Sequence, residues 1–143
     1  MKRLDLDIEA LIPHRGPMRL IEGVLDVSAE RAVTLAVVKA SWPLARTGEV
    51  DSLVTIELVA QTAALLEGWK RLKSNRGGAT GWLVGIKKAD FRRPRLSVPM
   101  ILITETARSY ALEGYAVFTG TVSNGSEVVA TMQIQALRPE ETA

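Results

Sequence analysis

The 143-residue chain contains no cysteine, which excludes disulfides and thiolate metal sites. It contains a single histidine, His14. With no cluster of acids at ligand spacing either, no metal site is expected. Aromatic residues make up only 5% of the chain, too few for a base-stacking platform. No apolar run approaches the roughly 18 uncharged residues of a membrane-spanning helix. The first segment carries charges at Lys2, Arg3, Asp5, Asp7 and Glu9 and lacks the apolar stretch of a signal peptide. No phosphate-cradling loop is present, because "GGATG" (77–81) leads into a strand pattern and not a helix. These absences together predict a cytoplasmic protein that uses no cofactor and binds neither nucleic acid nor membrane.

What is present is a globular composition. Apolar residues at 47% and charged residues at 24% suffice for one domain with a sizeable core, spanning 1–143. The formal net charge is +2. The one dense basic patch is Lys87, Lys88, Arg92, Arg93 and Arg95, which suits an acidic protein surface or a phosphate-bearing ligand.

Residues 1–11 suggest a short helix, and "IPHRGP" (12–17) reads as a loop on its two prolines and glycine. "MRLIEGVLDVS" and "RAVTLAVVKAS" are β-rich and short, and read as a hairpin or two adjacent strands. The stretch 41–51 is expected to be irregular. A helix is predicted over about 52–73, with Asp51 or Ser52 as N-cap and Lys70, Arg71 and Lys73 in its last turn. "SNRGG" ends it. At least four antiparallel strands follow, the last two joined at Asn124-Gly125, a strong hairpin signal. Beyond that turn Ala130, Met132 and Ile134 alternate with Thr131, Gln133 and Gln135, the mark of a strand buried on one face. Two strands, one long buried helix and an antiparallel run predict an α+β hot-dog fold, in which a curved antiparallel sheet wraps one central helix. Trp42, Trp69 and Trp82 are expected in the core or at an interface.

"SLVTIELVAQTAALL" (52–66) is apolar nearly all round apart from Glu57 and Gln61, which share a helical face at i, i+4. A desolvated carboxylate there is expected to have a raised pKa and acid/base duty; the bland alternative is a pair of side chains bonded to each other or to a loop. Unsatisfied backbone N–H groups at the helix start (Asp51, Ser52, Leu53) are candidates to bind a substrate carbonyl, and Gln61 is a further candidate substrate-binding residue.

Three motifs carry a family resemblance. "LIPHRGPMRLIEGVLD" (11–26), "IELVAQTAALL" (56–66) and "FRRP" (91–94) resemble, in this order, segments of the FabZ-type β-hydroxyacyl-acyl-carrier-protein dehydratases. The pattern is closest to the divergent dehydratase-like branch of aryl-polyene pathways. The resemblance implies a hot-dog homodimer or higher oligomer with its site between subunits. It makes Glu57 the acid and Gln61 its neighbour, and it implies an acyl carrier protein or coenzyme A thioester as partner, met by Arg92, Arg93 and Arg95.

Two departures bear on the chemistry. The Gly-His-Phe-Pro segment that supplies the family's catalytic histidine has no counterpart, since Ser41-Trp42-Pro43 stands in its place. The Pro-Gly-Asp strand end is also replaced, by "RLSVPM". Elimination of water from a 3-hydroxyacyl thioester needs a base for the α-proton and an acid for the departing hydroxyl. His14 is therefore either a structural loop residue or the missing base of a rebuilt site. Three functions follow: a 3-hydroxyacyl-thioester dehydratase using Glu57, a thioesterase using one carboxylate, and a non-catalytic acyl-thioester-binding protein.

Overall fold

The computed structural model describes residues 2–74 and 82–137. Its elements are α1 (Ile8–Leu11), β1 (Gly23–Val27), β2 (Arg31–Val37), β3 (Ala45–Arg46), β4 (Glu49–Asp51), α2 (Val54–Lys73), β5 (Trp82–Phe91), β6 (Arg95–Ser97), β7 (Ile101–Leu112), β8 (Tyr115–Ser123) and β9 (Val128–Leu137). A six-stranded antiparallel sheet in the order β1-β2-β7-β8-β9-β5 curves around α2, and β3-β4-β6 form a small second sheet. This is the expected hot-dog architecture.

The helix is buried along most of its surface, by Leu58, Val59, Ala63, Leu65 and Leu66 among others. That matches an apolar segment without a polar stripe. The sheet supplies Leu102 from β7, Phe118 and Val122 from β8 and Ala130, Met132 and Ile134 from β9, all buried in one core cluster. Each large side chain in that cluster contributes about 1.5–3 kcal/mol of apolar transfer. Two glycines set how closely the layers approach. A Cβ on Gly120 of β8 would strike the Val59 methyls, and one on Gly68 of α2 would strike the Leu11 carbonyl. The helix thus sits against bare backbone at both places. The hydroxyls of Thr34 on β2 and Thr62 on α2 pair at 2.8 Å inside the core, satisfying each other where no water reaches.

Two expectations are corrected. Residues 41–51 are not irregular throughout, because β3 and β4 form a tight hairpin through Thr47-Gly48 and β4 pairs with β6. Gly48 at φ +72° supplies the left-handed turn. The helix begins at Val54 and not near 52, and its N-cap residue Leu53 makes no side-chain cap. The reason is competition for the two expected caps. The Ser52 hydroxyl donates to the Arg93 carbonyl, while the Asp51 carboxylate accepts the Leu53 N–H at 2.9 Å. The remainder of the "SNRGG" stop beyond Ser74 lies outside the described residues, as does the Trp82 side chain. Trp42 is in the core, and Trp69 packs against it from its edge. No described helix is long and apolar enough to cross a membrane.

The helix lies mainly over β7 and β2 and touches β8 and β9 less. That offset leaves a gap between its other flank and the β8-β9-β5 side of the sheet. β5 is an edge strand with Leu83, Val84 and Ile86 exposed.

Candidate active site

The gap is a cavity of about 410 Å³. Its middle is apolar, with Ala60, Ala63 and Ala64 of α2 facing Phe118, Ile134 and Ala136 of the sheet. The alanines leave the volume that larger residues would fill. Glu57 and His14 line it, and ten residues further along α2 so does Glu67, beside Arg108 of β7.

Glu57 and His14 come together from distant parts of the chain. Leu11, at the end of α1, lies directly against Gly68, which brings the following Pro-His-Arg loop onto α2. Arg15 folds back within that loop, donating from Nη1 to the Ile12 and His14 carbonyls at 2.7 and 2.9 Å and from Nη2 to the Glu9 carbonyl at 2.7 Å. The result puts His14 Nε2 3.4 Å from Glu57 Oε1. His14 Nδ1 is buried without a hydrogen-bond partner among the described residues. A hydrogen on Nδ1 would be an unsatisfied buried donor, whereas one on Nε2 faces a carboxylate. The geometry therefore assigns the hydrogen to Nε2.

Gln61 completes the arrangement. It is fully buried. Its Nε2 donates to Glu57 Oε1 at 3.0 Å and to the Met18 carbonyl at 2.7 Å, and its Oε1 accepts the Leu20 N–H at 2.9 Å. Both amide hydrogens are spent. Gln61 thus holds Glu57 and the 18–20 segment and does not face a substrate, which corrects its expected role.

The electrostatics correct a second expectation. The Glu57 side chain is 34% exposed, so it is not a fully desolvated acid. Burial alone would raise its pKa, but hydrogen bonds from His14 and Gln61, with the attraction of His14, hold it below its ordinary value. The described donors to Glu57 both fall on Oε1. Such a carboxylate is ionised at neutral pH, the form a base needs, although the lowering itself weakens its hold on a proton.

The three expected helix-start groups are engaged elsewhere. The Asp51 N–H goes to the Leu44 carbonyl, Ser52 N–H to the Pro94 carbonyl and Leu53 N–H to the Asp51 carboxylate. All three donors are occupied, so the expected substrate-binding role of Asp51, Ser52 and Leu53 is not supported by their backbone.

The three arginines lie away from the cavity lining. Arg93 pairs with Glu127 at 3.6 Å and Arg95 with Glu49 at 3.3 Å, which partly neutralises the patch, while Arg92 is exposed. Sequence reasoning missed Glu67 and Arg108. A signal for Glu67 was present, because positions 57, 60, 64 and 67 recur at helical spacing. Arg108, one charge within a strand, had none. Among the described residues no group of three or more His, Cys, Asp or Glu could hold a metal.

Comparison with known proteins adds the following. The family model ApeP-like, described as ApeP dehydratase, matches residues 6–143. The chain is 28% identical over 151 residues to the 3-hydroxyacyl-[acyl-carrier-protein] dehydratase FabZ of Solibacter usitatus, covering 97% of this chain and 91% of that one. Its fold superposes on a chain of the dehydratase heterocomplex ApeI:P from Xenorhabdus doucetiae with a TM-score of 0.87 at 23% identity, covering 95% of this chain and 93% of that one. A hypothetical thioesterase protein from Streptococcus pneumoniae solved with coenzyme A shares the fold at a TM-score of 0.64 and 12% identity, covering 84% of this chain and 87% of that one.

Proposed function

From the premise that this chain belongs to the ApeP-like dehydratase family, we propose that it removes water from a 3-hydroxyacyl thioester carried by a cytoplasmic acyl carrier protein, with Glu57 as the base. The observation that carries this reading is the Glu57 carboxylate itself. It lines a cavity with an apolar middle, accepts from Gln61 on Oε1 with His14 Nε2 3.4 Å away, and is held in its ionised form.

The chemistry follows from that state. Oε2 of Glu57 takes a proton from C2 of the acyl chain, acidified by the adjacent thioester carbonyl. The electron pair forms the C2–C3 double bond as the C3–O bond breaks. The departing hydroxide takes up the proton now on Glu57 and leaves as water, so atoms and charge balance. One carboxylate serves as base and then as acid. His14, its Nε2 3.4 Å from Oε1, positions the carboxylate and stabilises its ionised form. Of the two roles open to His14, structural loop residue or missing base, this reading takes the loop residue and gives it a positioning role.

Arg92, with Arg93 and Arg95, is the carrier-facing patch in this reading, offering positive charge to an acidic carrier or its phosphate. A second hot-dog subunit is proposed to cover the exposed Leu83, Val84 and Ile86 of edge strand β5. A copy of this chain is the expected partner, and an unlike subunit, as in the Xenorhabdus complex, is the competing one. Native mass spectrometry of the purified chain separates them: a dimer supports like pairing, and a monomer overturns it.

The test of function is product analysis on a 3-hydroxyacyl-carrier-protein thioester. Loss of one water to give the 2-enoyl thioester is the expected result. Release of free thiol with the acyl chain still saturated would make the chain a thioesterase. Saturable binding without turnover would make it a carrier-binding protein.

A further inference from the structure

We propose that the far end of the cavity is a polar subsite in which Arg108, held by Glu67, receives an oxygen-bearing end of the acyl chain. This rests on the reading of the cavity as an acyl site but not on the role of Glu57.

Arg108 is an unusual wall for an acyl cavity. Its side chain is only 9% exposed and yet it lines the space, next to Glu67. Nε and Nη2 donate to Glu67 Oε1 at 3.0 and 2.6 Å, and Nη1 donates to Glu30 Oε2 at 3.4 Å. A guanidinium has five N–H donors in a fixed fork. The described bonds use three, leaving two on a group that borders the cavity.

The consequence is a choice of ligand end. A methyl group pressed against those donors would displace water and replace no hydrogen bond, which is unfavourable. A hydroxyl or carbonyl oxygen would accept from them. Glu67 and Glu30 both pair with Arg108, and Lys70, Arg71 and Glu113 line the same cavity, so charges of both signs meet at this end and a neutral oxygen acceptor is accommodated there. Reach is set by the helix. From Glu57 to Glu67 is ten residues of α2, about 15 Å along the axis, with the apolar alanine and phenylalanine surface between. The site is thus polar at both ends and apolar in the middle.

The experiment is calorimetric titration of the wild-type chain with coenzyme A thioesters of saturated acyl chains, each paired with its terminally hydroxylated counterpart, over a series of lengths. For chains too short to reach Arg108 the two members should bind equally. At the length that reaches it, the hydroxylated member should bind about tenfold more tightly, the worth of one net hydrogen bond to a charged group. In R108M/E67L, which removes both charges together, that preference should vanish or reverse. A merely structural ion pair would change the melting temperature of that variant without changing the preference. If R108M/E67L does not fold, Arg108→Lys replaces it, and loss of the forked donors should reduce the preference. Glu57→Gln should keep the tail preference while losing turnover, so failure of the dehydratase reading and failure of this one are distinguishable. Equal affinities at every length, no saturable binding of either series, or a preference that survives in R108M/E67L would overturn the proposal.

Discussion

His14 Nε2 stands 3.4 Å from Glu57 Oε1, although 43 positions of sequence separate the two residues. Their juncture makes Glu57 a base of lowered pKa and His14 its orienting donor. Glu57→Gln should therefore lower the rate of enoyl formation by about 10²–10⁴-fold, the usual worth of a positioned proton-transfer group. The melting temperature should stay close to wild type, since a half-exposed carboxylate carries little of the core. Dehydration assayed by mass spectrometry beside a thermal melt checks both parts. Wild-type turnover in the variant would remove Glu57 from the mechanism.

The pH dependence has a definite sign. Glu57 has a lower pKa folded than unfolded, so its ionised form stabilises the folded state above the ordinary carboxylate value. That contribution is lost as the pH falls through the lowered folded value. His14→Ala removes one cause of the lowering. The acid limb of the rate profile should then move to higher pH while turnover at neutral pH persists in part. Were His14 itself the proton-abstracting base, His14→Ala would instead abolish turnover at every pH. The kcat/KM profile of the two proteins decides between these roles.

The fold was legible because its signals are periodic. The 52–66 segment announces a buried helix, and the Asn124-Gly125 turn with the alternation after it announces a strand pair. Glu57 was legible as the lone charge in an apolar helix. Its protonation behaviour was not, because that depends on His14 and Gln61, and on how much of the carboxylate stays in water. Composition says nothing of those distances. The helix start was misread for a related reason: Asp51 and Ser52 are good caps in isolation, but the Ser52 hydroxyl meets the Arg93 carbonyl, a partner 41 residues away. Arg108 was invisible because a single arginine in a strand reads as surface, and only the packing of β7 on α2 buries it.

Gln61 has a structural consequence that separates it from a substrate contact. Replacing it by Met keeps the volume but removes the partners of the Leu20 N–H and the Met18 carbonyl, two backbone groups on the segment that Gln61 fastens to α2. An unsatisfied buried group costs about 1–3 kcal/mol; the Leu20 N–H is buried and the Met18 carbonyl only partly so. Gln61→Met should thus destabilise the fold by about 1–4 kcal/mol, read as a lowered denaturant midpoint. A variant as stable as wild type, with only a raised KM, would return Gln61 to the role of a substrate ligand.

Gly68 offers a way to disturb the site without touching it. A Cβ there would collide with the Leu11 carbonyl, so Gly68→Ala must push α1 and the loop after it away from α2. Backbone cannot yield as a flexible side chain does, and overpacking of this kind costs about 1–3 kcal/mol. His14 is three residues beyond Leu11 and moves with the loop. The expected outcome is a lower melting temperature together with a rate profile like that of His14→Ala, its acid limb displaced to higher pH, because Glu57 loses the same donor. Measuring both in one variant tests whether the α1–α2 contact sets the His14–Glu57 distance. Loss of stability with an unshifted pH profile would show that the loop holds His14 in place by its own Arg15 bonds alone.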